Sequence, residues 1–91
     1  MSEERRALIE SRLAVLSPRH LEITDESHRH AGHASAKGGG HFVVTVVSEM
    51  FAGKSLLQRH RMVYAAMGDA MEQQIHALSI TAKTPDEAGL N

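Results

Sequence analysis

The 91-residue sequence contains no cysteine and no tryptophan, and its only large rings are Phe42, Phe51 and Tyr64. Each shortage excludes something. Without cysteine there is no disulfide framework, and a metal held by this chain alone must take His, Asp or Glu ligands. With so few rings, binding single-stranded nucleic acid by stacking successive bases on aromatic side chains is disfavoured. No apolar run reaches the roughly 18 to 20 residues that span a bilayer. The N-terminal MSEERR stretch has no signal-peptide core, so a cytoplasmic protein with no membrane attachment is expected. The formal net charge is -1 and the pI near 6.6, which leaves no broad cationic field to drive non-specific nucleic-acid binding through counterion release.

What is present is a 42% share of hydrophobic residues and seven histidines. Leu, Ile, Val, Met and Ala must therefore fill the interior. A single domain over 1–91 is expected to bury roughly 60% of its unfolded surface, enough for two layers and too little for a deep enclosed active site. Asp25 and Glu26 are adjacent on a strand pattern and point to opposite faces, and no nucleophile accompanies them. The expectation is a protein that is not an enzyme.

The element order follows from periodicity. Ser2 caps a helix with Glu3 and Glu4 in its first turn and Leu8, Ile9, Leu13 and Leu16 as its buried stripe, stopped at Ser17-Pro18. Leu21 to Thr24 alternates as a short strand. Residues 28–40, HRHAGHASAKGGG, show no apolar period and are assigned to a mobile loop, after which HFVVTVVS at 41–48 is the strongest strand. Phe51-Ala-Gly53 turns into a helix capped by Ser55 and running to about Gln74, weakened at Gly68. Its stripe is read as Leu56, His60, Val63, Met67 and Met71. Ile75 to Thr84 is a third strand with His76, Leu78, Ile80 and Ala82 on one face. Thr84-Pro-Asp-Glu87 is a capping box opening a last helical turn in the tail 85–91. Helices on one face of a three-stranded mixed sheet, an α+β fold, is the economical solution, with a helix between the second and third strands serving as a crossover to a parallel partner.

Four blocks in order, LEITDESHRHAGH (21–33), HFVVTVVS (41–48), FAGKSLLQRHRMVY (51–64) and IHALSITAKTPDE (75–87), resemble the signature blocks of the BolA family. The resemblance covers nearly the whole chain after the first helix. It implies an αββα(α)βα fold similar to type II KH domains. It also implies pairing with a monothiol glutaredoxin and a shared [2Fe-2S] cluster, in iron-sulfur cluster trafficking or iron regulation. Some members are described as DNA-binding transcriptional regulators, which is the alternative here; a homo-oligomer is compatible with either.

The family pattern places one cluster ligand at His76 and a second in the loop, where His30 is the best match and His33 and His28 are alternatives. A chain without cysteine cannot hold such a cluster alone, so none is expected in the isolated protein; a glutaredoxin thiolate and glutathione would bind one iron and imidazoles the other. Against this stand a partly buried structural role for His76 and solvated loop histidines that chelate metals adventitiously. His41 and His60 are assigned to structure. Lys54, Arg59 and Arg61 surround the start of the long helix as a contact for an anion, a partner or nucleic acid, with a solvated or ion-paired helix face as the plain reading. Gly53-Lys-Ser-Leu56 lacks the second glycine of the KH G-x-x-G loop, which weakens RNA binding of that kind.

Overall fold

The computed structural model describes residues 2–26, 40–73 and 75–90. Helix α1 spans Ser2–Leu13, with Glu3 and Glu4 at its positive end and Arg12 in its last turn, the arrangement the macrodipole favours. Ile9 and Leu13 are wholly buried, and Leu16 follows them into the core from a single 3-10 turn, Ala14–Leu16. Ser17 ends that turn in the left-handed region, at φ 49°, where its N–H donates to the Ala14 carbonyl.

Three strands form one sheet in the order β1 (His20–Asp25), β2 (Gly40–Val47), β3 (Ile75–Lys83). The β1–β2 pair is antiparallel and the β2–β3 pair parallel, as a crossover through the long helix requires. Register aligns Leu21, Val46 and Ala82 in one cross-sheet row and Ile23, Val44 and Ile80 in the next. These rows pack against Ile9 and Leu13 of α1 and against the long helix through Val63 and Met67, with Phe42 and Phe51 as the two buried rings. On the other face the rows are Glu22, Thr45, Thr81 and Thr24, Val43, Ser79, a mostly polar surface that no helix covers among the described residues. Helices thus cover one face of a mixed sheet, in the expected order. The sheet begins one residue earlier than expected at β2, because Gly40 already pairs with Ile75; the remainder of the 28–40 loop assignment lies outside the described residues.

The expected long helix is two. Helix α2 covers Leu56–Met67, and Gly68, at φ 57° and ψ -136°, ends it before the short α3, Ala70–Gln73. Arg12 seals this joint: one guanidinium nitrogen donates to the Met67 carbonyl and another to Asp69, both at 2.9 Å. The buried stripe also differs from the sequence reading. It runs Arg59, Val63, Met67 and then Ala70, whereas Leu56 is 68% exposed and His60 only half-buried. One turn before Val63, the i, i+4 spacing reaches Arg59, and the core accepts this arginine because four of its five N–H donors are directed at oxygen atoms.

Two caps tie the ends together. Buried Ser48 donates from its hydroxyl to the Leu16 carbonyl at 2.6 Å and accepts from the Met50 N–H, starting the 3-10 turn Glu49–Phe51. Thr84 and Glu87 form the expected capping box, through Glu87 N–H to Thr84 Oγ1 and Thr84 N–H to Glu87 Oε1. The expected helical turn follows: the Ala88 N–H donates to the Thr84 carbonyl at 3.0 Å, the i, i+4 bond of one turn, and the Gly89 and Leu90 N–H groups close it onto Asp86 and Pro85. Among the described residues no helix is long and apolar enough to cross a membrane.

Candidate functional site

The sheet end at which β3 begins holds His76 and the stems of the segment 27–39, whereas Arg59 bonds the Ala82 carbonyl near the other end of β3. Gly40 pairs with Ile75, and the next residue of β2, His41, pairs with Ala77. His76 is therefore the residue of β3 that has no Cα partner on β2, a bulge in the parallel ladder. Burial reports the same irregularity: Ile75 and Leu78 are both buried although three residues apart, where strict alternation would put them on opposite faces. The alternation that set His76 beside Leu78 on the apolar face does not run through this segment, so parity assigns His76 to neither face. Bulges of this kind re-aim a side chain and recur beside functional sites.

The ends of the histidine-bearing segment converge on the same place. On the β1 side Asp25 pairs with Phe42, and the Glu26 N–H donates to the His41 carbonyl at 2.8 Å. On the β2 side Gly40 opens the strand, one pairing step from the bulge. Asp25 is the last residue of β1 and Glu26 adds one more bond to β2 beyond it. His28, His30 and His33 lie outside the described residues, and among the described residues no three His, Asp or Glu side chains group to hold a metal ion.

The three cations at the start of α2 are separated by the structure. Lys54 and Arg61 are exposed, but Arg59 is 7% exposed and makes four hydrogen bonds. Its Nε donates to the Lys54 carbonyl at 3.0 Å, one terminal nitrogen to the Ala82 carbonyl at 3.1 Å, and both terminal nitrogens to Glu87, at 2.6 and 3.2 Å. The guanidinium also lies 6.0 Å from the centre of the Phe51 ring. Hydrogen bonds from Arg59, then from the Thr84 N–H, hold the Glu87 carboxyl down to about 2. The Arg59 guanidinium is raised in turn by its bond to Glu87, against the opposing effect of burial. Arg59 consequently joins α2, β3 and the C-terminal turn, and leaves the anion- or partner-contact surface to Lys54 and Arg61. The helix start is also partly satisfied internally, because Ser55 and Gln58 exchange capping-box bonds at 3.1 and 2.8 Å.

Sequence reasoning missed Ser48 and the Arg59–Glu87 lock, and it missed the bulge. A signal for the last was there: Ile75 is a strong core residue at the wrong parity for Leu78.

The geometry agrees with comparison to known proteins. The BolA-like protein family profile matches residues 13–87. The SufE-like protein 1, chloroplastic/mitochondrial, of Arabidopsis thaliana is 46% identical over 78 residues, which is 79% of this chain but 21% of that protein, so the chain spans about a fifth of that relative's length. The DNA-binding transcriptional regulator BolA of Escherichia coli is 39% identical over 83 residues, covering 90% of this chain and 77% of the regulator. Among solved structures, BolA1 from Arabidopsis thaliana superposes with a TM-score of 0.77 at 38% identity, over 91% of this chain and 94% of that one. On the profile, the relatives and the shared fold, the chain belongs to the BolA-like protein family.

Proposed function

We propose that this protein pairs with a monothiol glutaredoxin and shares a [2Fe-2S] cluster with it as cargo, acting without catalysis in iron-sulfur cluster trafficking or iron regulation. The observation that carries this reading is the bulge at His76 in the parallel ladder, with both stems of the histidine-bearing segment leaving the same end of the sheet. Two histidines distant in sequence, His76 and His30 (or His33 or His28 in its place), would then be offered to one iron. The donor set fits half of such a site. Neutral imidazoles suit one iron of a two-iron cluster, whereas the sulfur ligands of the other must come from a partner cysteine and glutathione, since this chain has none. That a SufE-like protein is among the relatives points the same way. Exposed Lys54 and Arg61 would meet the partner or the carboxylates of glutathione.

The test is anaerobic assembly of the chain with a monothiol glutaredoxin, glutathione, ferrous iron and sulfide, followed by size-exclusion chromatography and visible absorption. A coloured heterodimer is expected, with a changed spectrum in His76→Ala and a smaller change in His30→Ala. A spectrum identical in His76→Ala removes that residue from the ligand set. The second reading, a DNA-binding regulator, is favoured by the name of the Escherichia coli relative. It would gain if a colourless protein retained one DNA site against competitor DNA at moderate salt.

A further inference from the structure

Among the described residues strand β3 is an edge: the order β1-β2-β3 leaves its far side without a neighbouring strand. From the β2 side the Ser48 N–H donates to the Lys83 carbonyl at 2.9 Å. Main-chain groups alternate sides along a strand, so those of Ser79 and Thr81 also face β2, and those of Leu78, Ile80 and Ala82 face outward. Two of the three outward carbonyls are taken by α2. The Tyr64 hydroxyl donates to Leu78 at 3.4 Å and Arg59 donates to Ala82 at 3.1 Å. Between them Ile80 presents an N–H and a C=O that receive nothing from α2 or from the C-terminal turn among the described residues.

A groove of about 450 Å³ opens on this edge, lined by Leu56, Arg59, His60, Ile80, Lys83 and Glu87 among others. Its helical wall is Leu56 and His60, one turn apart, and Tyr64 follows them on the same row just beyond the lining; Leu56 is 68% and Tyr64 45% exposed. Arg59 and Glu87 neutralise each other. The fixed charge left on the lining is the single cation Lys83, which favours a carboxylate.

We propose that this edge accepts an extended acidic peptide segment of a partner protein by strand addition. One peptide residue exchanges N–H···O bonds with Ile80, an apolar side chain packs on Leu56 and Tyr64, and a carboxylate meets Lys83. Main-chain pairing needs an extended polypeptide. The apolar wall and the near-neutral chain suit such a segment better than a polyphosphate backbone. The groove involves the far part of β3 from His76, so the proposal stands independently of the cluster reading.

The experiment is a nuclear magnetic resonance titration of the ¹⁵N-labelled full chain with a blocked hexapeptide of alternating glutamate and valine. Shifts are expected at 56–64 and 78–83, with slowed exchange of the Ile80 amide. Binding should be about tenfold weaker for Leu56→Asp, for Lys83→Glu, and for the lysine-valine counterpart peptide, each a change of about 1.4 kcal/mol. Both substituted positions are exposed, so the fold is retained and circular dichroism checks it. The proposal is overturned if millimolar peptide causes no shifts there, if the lysine-valine peptide binds equally, or if the Ile80 amide is not slowed. It is equally overturned if the same residues respond to a thymidine oligonucleotide more tightly than to the peptide, or to self-association of the chain.

Discussion

Arg59 sits in the run Gln58-Arg59-His60-Arg61, which has the look of a solvated helix face, yet two main-chain carbonyls and one carboxylate take up its donors. Its bonds to the Lys54 and Ala82 carbonyls are buried or partly so. Truncation would leave those carbonyls and Glu87 without their donor. Arg59→Ala is therefore expected to lower stability by about 2 kcal/mol in urea unfolding near neutral pH. Arg59→Lys should recover only part, since an ammonium cannot reproduce the two-pronged contact. The same pair sets a pH dependence. Glu87 titrates lower in the folded chain than its ordinary value of 4.5, at about 2. Its ionised form thus stabilises the fold fully above 4.5, and that contribution fades as pH falls from 4.5 towards 2. Denaturant midpoints of the wild type and Glu87→Gln should converge across that window. Curves that stay parallel down to the bottom of that window would show that the lock does not couple to folding.

At the scale of elements, the joints matter more than the spans. Gly68 combines a positive φ with an extended ψ, and a Cβ there would also come within 2.9 Å of the Arg12 guanidinium. The arginine tip can move aside; the backbone strain cannot be relieved that way. Gly68→Ala is expected to cost about 1 to 3 kcal/mol, read as a lower midpoint in urea with an unchanged slope. Much of this level was legible from the sequence. Local chemistry carries the signals for caps and strand period: Ser17-Pro18 closes the 3-10 turn that follows α1, Ser55 caps α2, Thr84 and Glu87 pair, and Val-rich β2 lies at the centre of the sheet. Contacts between elements leave no such local trace. Nothing near Arg59 announces Glu87, and nothing near Arg12 announces Asp69. The bulge at His76 is intermediate, since it is visible only when Ile75 is counted as core.

For the whole molecule, these joints make a two-layer frame, helices on one face of the sheet. The covered face supplies stability through Ile9, Leu13, Phe42, Val44 and Met67. The sheet end at Gly40 and Ile75 presents His76 beside the stems of the histidine-bearing segment. The edge of β3 and the exposed Lys54 and Arg61 offer contact surfaces that leave the core untouched. Such a division suits a small protein that completes a site with another chain instead of enclosing one itself, as its size already implies. The central claim is that an imidazole nitrogen of His76 coordinates an iron of the shared cluster. Pulsed electron nuclear double resonance on the reduced heterodimer, with the chain ¹⁵N-labelled only at histidine, tests it most directly. Two strongly coupled histidine nitrogens are expected in the wild type and one in His76→Ala. A wild-type spectrum without strong nitrogen coupling, or a His76→Ala spectrum that keeps both couplings, would contradict it.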